Sequence, residues 1–197
     1  MHLKIVQAGE LVLREAARSL TSQEILSEEI QRLIGEMGET MHDAPGVGLA
    51  APQIGLPLQL AVIEDREDLL QGLSADDLAE RERRPVPFHV IINPVITYSS
   101  DDKKNFYEGC LSLPGFSAVV PRARTVRVEY LDERAEPQFV QASGWYARIL
   151  QHEIDHLNGA LYIDRMQPRT FTTIDNYTRL QKGKPIPPTA PDSLKDT

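Results

Sequence analysis

Apolar residues at Leu26, Ile30, Leu33, Ile34, Met37 and Met41 recur at steps of three and four, the period of one helix face. With Thr21 and Glu24 placed as a capping box, the pattern predicts a single amphipathic helix over residues 21–42. Residues 43–55 then carry three glycines and two prolines around Gly46-Val47-Gly48-Leu49-Ala50-Ala51, too few bulky side chains for a core element. A loop whose backbone is the working surface is expected there. Strand-like runs follow at 58–63, 90–96 and 125–130. In the last, Val126, Val128 and Tyr130 alternate with Arg127 and Glu129, which points to antiparallel sheet. A second helix is expected between Ser143 as N-cap and Gly159 as stop. Ala147, Leu150, Ile154 and Leu157 fall on one side of it, and Trp145, Ile149, His152 and His156 on the other. A helix apolar on both sides is central, and its thin polar stripe of Arg148, Gln151 and Asp155 is placed to support groups beside it.

Composition narrows the class. At 197 residues, 41% hydrophobic and 25% charged, the chain reads as one globular domain over 1–182. An extended tail is expected over 183–197, which holds four prolines in fifteen residues. The stretch 64–87 has eight acidic and four basic residues, half of the net charge of −8, and reads as a solvated insertion with a short helix near 75–83. A net negative charge argues against binding nucleic acid through phosphate neutralisation. No apolar run spans a bilayer and no secretion signal is evident, so the expected location is cytoplasmic, without a membrane partner. One cysteine, Cys110, allows no intrachain disulfide and fits a reducing compartment.

His152-Glu153-Ile154-Asp155-His156 matches H-E-x-x-H: histidines four apart on one helical face can reach one metal while the glutamate faces its water. A catalytic site needs a third protein ligand. A third histidine six residues on is absent, since that position is Tyr162, and Glu153 is the last glutamate of the chain. The remaining soft ligand is Cys110, in Glu108-Gly109-Cys110-Leu111-Ser112, where Gly109 permits close backbone approach.

Together with Gly46-Val47-Gly48-Leu49-Ala50-Ala51-Pro52-Gln53 and Gln151-His152-Glu153-Ile154-Asp155-His156-Leu157-Asn158-Gly159, this segment makes the chain resemble the peptide deformylase family over about residues 5–180. Features around 144–151 and 164–171 look like the branch that includes mitochondrial-type members. The resemblance implies an α+β fold, antiparallel β-sheets around a central metal-bearing helix, and removal of the formyl group from N-terminal methionine of nascent chains. A metal held by Cys110, His152 and His156 would lower the pKa of a bound water, and Glu153 would accept its proton. The oxyanion would be met by the metal, the Gln53 amide and the Leu111 N–H. Iron(II) is the family's usual ion, and zinc, nickel or cobalt could use the same donors. An N-formylmethionyl peptide would lie along Gly46, Val47 and Gly48 and the segment after Ser112, with Glu108 and Gly109 also on the substrate side and Val47, Trp145, Arg148 and Ile149 bordering the methionine pocket. Leu11 and Ala135 stand where the family favours proline and glycine, and the proline-rich ending lacks the C-terminal helix through which some bacterial members make ribosome contact. Rival readings are a metallopeptidase with the same ligands, a closed non-enzymatic metal module, and an inactive relative that only binds. Closed sites favour four protein ligands, and neither a ligand nor Glu153 is lost here.

Overall fold

Thr21 and Glu24 close the expected capping box, but the helix they open, α1 (Ser22–Ile25), is one turn long. Ser27 caps a second helix, α2 (Glu28–Asp43), by accepting the Ile30 N–H, so the single helix expected over 21–42 is two. The periodicity crossed the break because Leu26 keeps the spacing, yet Leu26 is 60% exposed and packs on neither core. This computed structural model describes residues 3–186; most of the tail expected over 183–197, from residue 187 on, lies outside the described residues.

The expected loop over 43–55 contains a buried strand, β1 (Gly48–Ala50), and a 3-10 turn, Ala51–Ile54, ended by Gly55 at φ 84°. Strands β2 (Leu60–Asp65) and β3 (Val86–Ser99) flank the acidic excursion, which carries α3 (Glu67–Leu70) and α4 (Ala75–Glu80). It is not wholly solvated: Asp65 is buried and paired with Arg83. Next come two hairpins, β4 (Lys103–Cys110) with β5 (Leu113–Ala123), and β6 (Thr125–Leu131) with β7 (Pro137–Ser143). The central helix α5 (Gly144–Leu157) follows, then β8 (Thr172–Thr173), α6 (Ile174–Asn176) and a π-helical stretch, Tyr177–Gln181.

The strands form a five-stranded antiparallel sheet, β1-β2-β3-β6-β7, and a three-stranded one, β4-β5-β8. β2 and β3 are covered on both faces. Ala61, Ile63 and Ile91 join Ala147, Leu150, Ile154 and Leu157 of α5, while Leu60, Val62, Val90 and Ile92 join Ile30, Ile34, Met37 and Met41 of α2. Burial on both faces is why these strands read as continuous apolar runs rather than alternating ones. Each Val, Leu, Ile or Met side chain among these contributes roughly 1.5–3 kcal/mol by leaving water. α5 touches strands of both sheets, as its two apolar sides require. Ser143 precedes it but donates no cap; its hydroxyl pairs with Thr125 Oγ1 instead, 3.1 Å away. Gly159 ends the turn after it at φ 75°, where a Cβ would lie 2.8 Å from the Arg14 carbonyl.

Candidate metal centre

One turn of α5 separates His152 from His156, and their rings stand 4.9 Å apart, edge to face. Cys110 reaches them from the end of β4, where the register against β5 shifts between Glu108 and Cys110 and Gly109 takes up the irregularity. Its Sγ lies 3.2 Å from His156 Nε2, and one ligand atom from each of Cys110, His152 and His156 falls within 4.8 Å of the others. A thiolate with two imidazole nitrogens suits zinc, iron, nickel or cobalt, and three protein ligands leave a position open. The residues fit a resident metal ion.

Glu153 is 3% exposed, and its Oε2 has no hydrogen-bond partner among the described residues. Burial pushes its carboxyl up to about 7, against the opposing pull of His152 and Arg122. A dication beside it would oppose that rise and favour the ionised form. Gln53 is fixed from one end: its Oε1 accepts the Ala50 N–H at 2.9 Å. Its Nε2 therefore faces Cys110 Sγ at 3.5 Å and Ser112 Oγ at 3.3 Å. The Ser112 N–H donates to Cys110 Sγ at 3.4 Å.

Behind the ligands runs a buried ionic network. His152 Nδ1 lies 3.1 Å from Glu108 Oε2, which leaves Nε2 as the ligand atom. Glu108 accepts both Nε and Nη2 of Arg122 at 3.0 Å and is paired with Arg148 as well. Arg148 also donates to the carbonyls of Val120 and Lys104, at 2.8 and 2.6 Å. Asp155 joins Arg122 to Arg165, whose Nε and Nη2 each lie 2.7 Å from it. Burial opposes the charge on Glu108, but Arg122 and His152 outweigh it and hold the carboxyl well below its usual range. The stripe of Arg148, Gln151 and Asp155 does support its surroundings, Gln151 by bonding the backbone N–H and carbonyl of Ala123. Glu108 and Arg148, expected on the substrate side, border the cavity but turn their charged groups toward each other.

A cavity of about 470 Å³ opens over these groups. Gly46, Val47, Gly48, Gln53, Glu108, Gly109, Cys110, Leu111, Trp145, Arg148, Ile149, His152 and Glu153 line it, while His156 sits beneath, 1% exposed. Pro114 and Phe116, from the segment after Ser112, stand in its wall, and sequence reasoning missed Tyr107 and Ile174 there. Phe116 stacks on Phe171 at 5.1 Å, a pairing that no local pattern signals. Arg122 was also missed, because a lone arginine in a strand looks like a surface residue until its partners are known.

The family model described as polypeptide deformylase matches residues 2–172. The tomato peptide deformylase 1A, chloroplastic, is 49% identical over 87% of this chain, which spans 62% of that relative's length. The human peptide deformylase, mitochondrial, is 40% identical over 86% of this chain and 70% of its own length. Among solved structures, a peptide deformylase from Synechococcus elongatus in complex with actinonin superposes with a TM-score of 0.70 at 40% identity, covering 83% of this chain and 78% of that one.

Proposed function

The chain belongs to the peptide deformylase family, and from that premise we propose that it is a metal-dependent hydrolase that removes the N-formyl group from the N-terminal methionine of newly made polypeptides, releasing formate. The observation that carries this reading is the cluster of Cys110, His152 and His156 at one cavity, with a Glu153 carboxyl whose Oε2 has no hydrogen-bond partner among the described residues and an oriented Gln53 amide.

One divalent ion on Cys110, His152 and His156, iron(II) by preference, would supply a Lewis acid and make a water nucleophilic at neutral pH. Glu153 Oε2 is placed to take a proton from the attacking water and return it to the amine nitrogen as the C–N bond breaks. Gln53 Nε2 and the Leu111 N–H donate to the oxyanion that develops on the formyl oxygen. Glu108 holds His152 in the tautomer that presents Nε2. β1 is an edge strand of its sheet, so an extended peptide can add along Gly46, Val47 and Gly48 while its methionine enters the pocket bordered by Val47, Trp145, Arg148 and Ile149. A lone cysteine offered as a metal ligand suits the reducing cytoplasm; among the described residues no helix is long and apolar enough to cross a membrane.

Formate release from a formyl-Met tripeptide, compared with cleavage of the same peptide without its formyl group, tests the reading. Deformylation alone is expected. Cleavage of peptide bonds in the unformylated peptide would move the chain to the metallopeptidases. Glu153→Gln should keep the metal and lose nearly all turnover, because an amide cannot accept the proton; a variant retaining most activity would remove Glu153 from the general-base role.

A further inference from the structure

Trp145 stands in the cavity wall, yet its indole N–H has no hydrogen-bond partner among the described residues, where ring contacts surround the indole. Those contacts come from guanidinium groups. Arg81 lies 5.1 Å, Arg83 5.2 Å and Arg148 5.8 Å from the ring centroid, and Phe106 meets it edge-on at 6.1 Å. Arg148 belongs to the same helix as Trp145. Arg81 and Arg83 do not: they come from the end of the acidic excursion, and neither lines the cavity.

The excursion is seated there by more than ring contacts. The Trp145 backbone N–H donates to the Arg81 carbonyl at 2.8 Å. Gly144 adopts φ 61°, and a Cβ on it would lie 2.4 Å from Glu82 Cβ and 2.6 Å from the Arg81 oxygen, so the close approach requires glycine. Arg83 donates through Nε and Nη2 to the Asp65 carboxylate, both at 2.8 Å, and Asp65 is 1% exposed, which fixes the guanidinium before it meets the indole.

We propose that Arg81 and Arg83 are positioning residues for the pocket that receives the first side chain of the peptide: held on the indole, they fix where Trp145 stands and so favour a long, unbranched apolar side chain over a small one. The inference rests on the deformylase reading and adds to it a role for the excursion. Cation–π attraction over an indole strengthens as the cation loses solvent, and the Arg83 side chain is 11% exposed. A wall held in place lowers the entropy lost when a flexible thioether chain binds, so the effect belongs in KM rather than in the chemical step.

The test uses the metal-loaded enzyme, with Arg81→Ala and the double variant Asp65→Asn with Arg83→Gln. Arg81 Nε has no hydrogen-bond partner, so Arg81→Ala leaves no buried acceptor of that atom unpaired; the double variant avoids a lone buried carboxylate. Trp145 is the chain's only tryptophan, so its emission reports its own surroundings. Each variant should shift that emission to longer wavelength, raise KM for a formyl-Met tripeptide, and cut the preference in kcat/KM for formyl-Met over formyl-Ala peptides by about tenfold. Unchanged selectivity in Arg81→Ala overturns the proposal, whether or not the emission moves. Lost selectivity with unmoved emission overturns the route through Trp145. A wild-type enzyme that deformylates nothing overturns the functional reading, and this inference with it; that outcome is seen before any variant is made.

Discussion

Gly48 has no room for a side chain, because the place its Cβ would take belongs to Glu153: Oε1 would lie 2.2 Å and Cδ 2.5 Å away. Gly48→Ala must therefore move the carboxylate of the proposed general base without touching Cys110 or the histidines. Turnover on a formyl-Met tripeptide is expected to fall by about 10²-fold or more while metal content stays at the wild-type level; full activity would mean that Glu153 can act from a displaced position. Gln53 is constrained by the Ala50 N–H, which dictates which end of the amide faces Cys110. A donor aimed at charge present only in the transition state acts on kcat, so Gln53→Ala should depress kcat on the order of 10²-fold with little change in KM. If steady-state kinetics show the loss in KM instead, Gln53 binds the ground-state peptide.

The turn between β6 and β7 shows a residue and its element at odds. Asp132 accepts the N–H groups of Arg134 and Glu136 and the side chain of Gln138, which commits the chain to a tight turn, and Ala135 is left at φ 59°. That conformation costs a non-glycine residue roughly 1–2 kcal/mol, against roughly 0.5–1 kcal/mol of extra unfolded-state entropy for glycine. Ala135→Gly should thus raise the melting temperature by about 1–4 °C without altering activity; calorimetry showing a lower Tm would mean the turn relaxes at no cost with alanine. Elements were legible where one local pattern decided them. α5 carried its periodicity, its glycine stop and its H-E-x-x-H spacing within seventeen residues, from Ser143 to Gly159. The α1/α2 break was hidden because Leu26 preserved the spacing, and β1 because small residues serve close packing as well as loops. The β4/β5 hairpin was hidden by Gly109, Pro114 and Gly115, which interrupt the alternation where the chain brings Cys110 toward His152 and His156. Cys110 was found by elimination among ligand types, but Arg122 could not be, since its partners Glu108 and Asp155 lie 14 and 33 residues away along the chain.

Across the whole molecule, Arg122 is the point at which the three-stranded sheet and the central helix share charge. It sits on β5, holds Glu108 of β4 with two hydrogen bonds, and meets Asp155 of α5; Glu108 in turn holds His152. All three charged side chains are nearly inaccessible to water, so removing the guanidinium leaves carboxylates that cannot regain their hydration. Arg148 and Arg165 remain to offset them, which limits the loss but cannot restore the fork on Glu108. Arg122→Met should cost about 3–5 kcal/mol, lower Tm by about 10 °C or more, and weaken metal retention during dialysis against a chelator, because His152 loses its support. Arg122→Lys should recover only part, since a single ammonium cannot make the paired contact. Arg165→Ala provides the contrast: its side chain is 52% exposed and solvent screens its bond to Asp155, so the expected cost is under about 1 kcal/mol. Should Arg122→Met prove no more damaging than Arg165→Ala in both melting and metal retention, the network contributes packing alone, and the orientation of His152 must come from the helix that carries it.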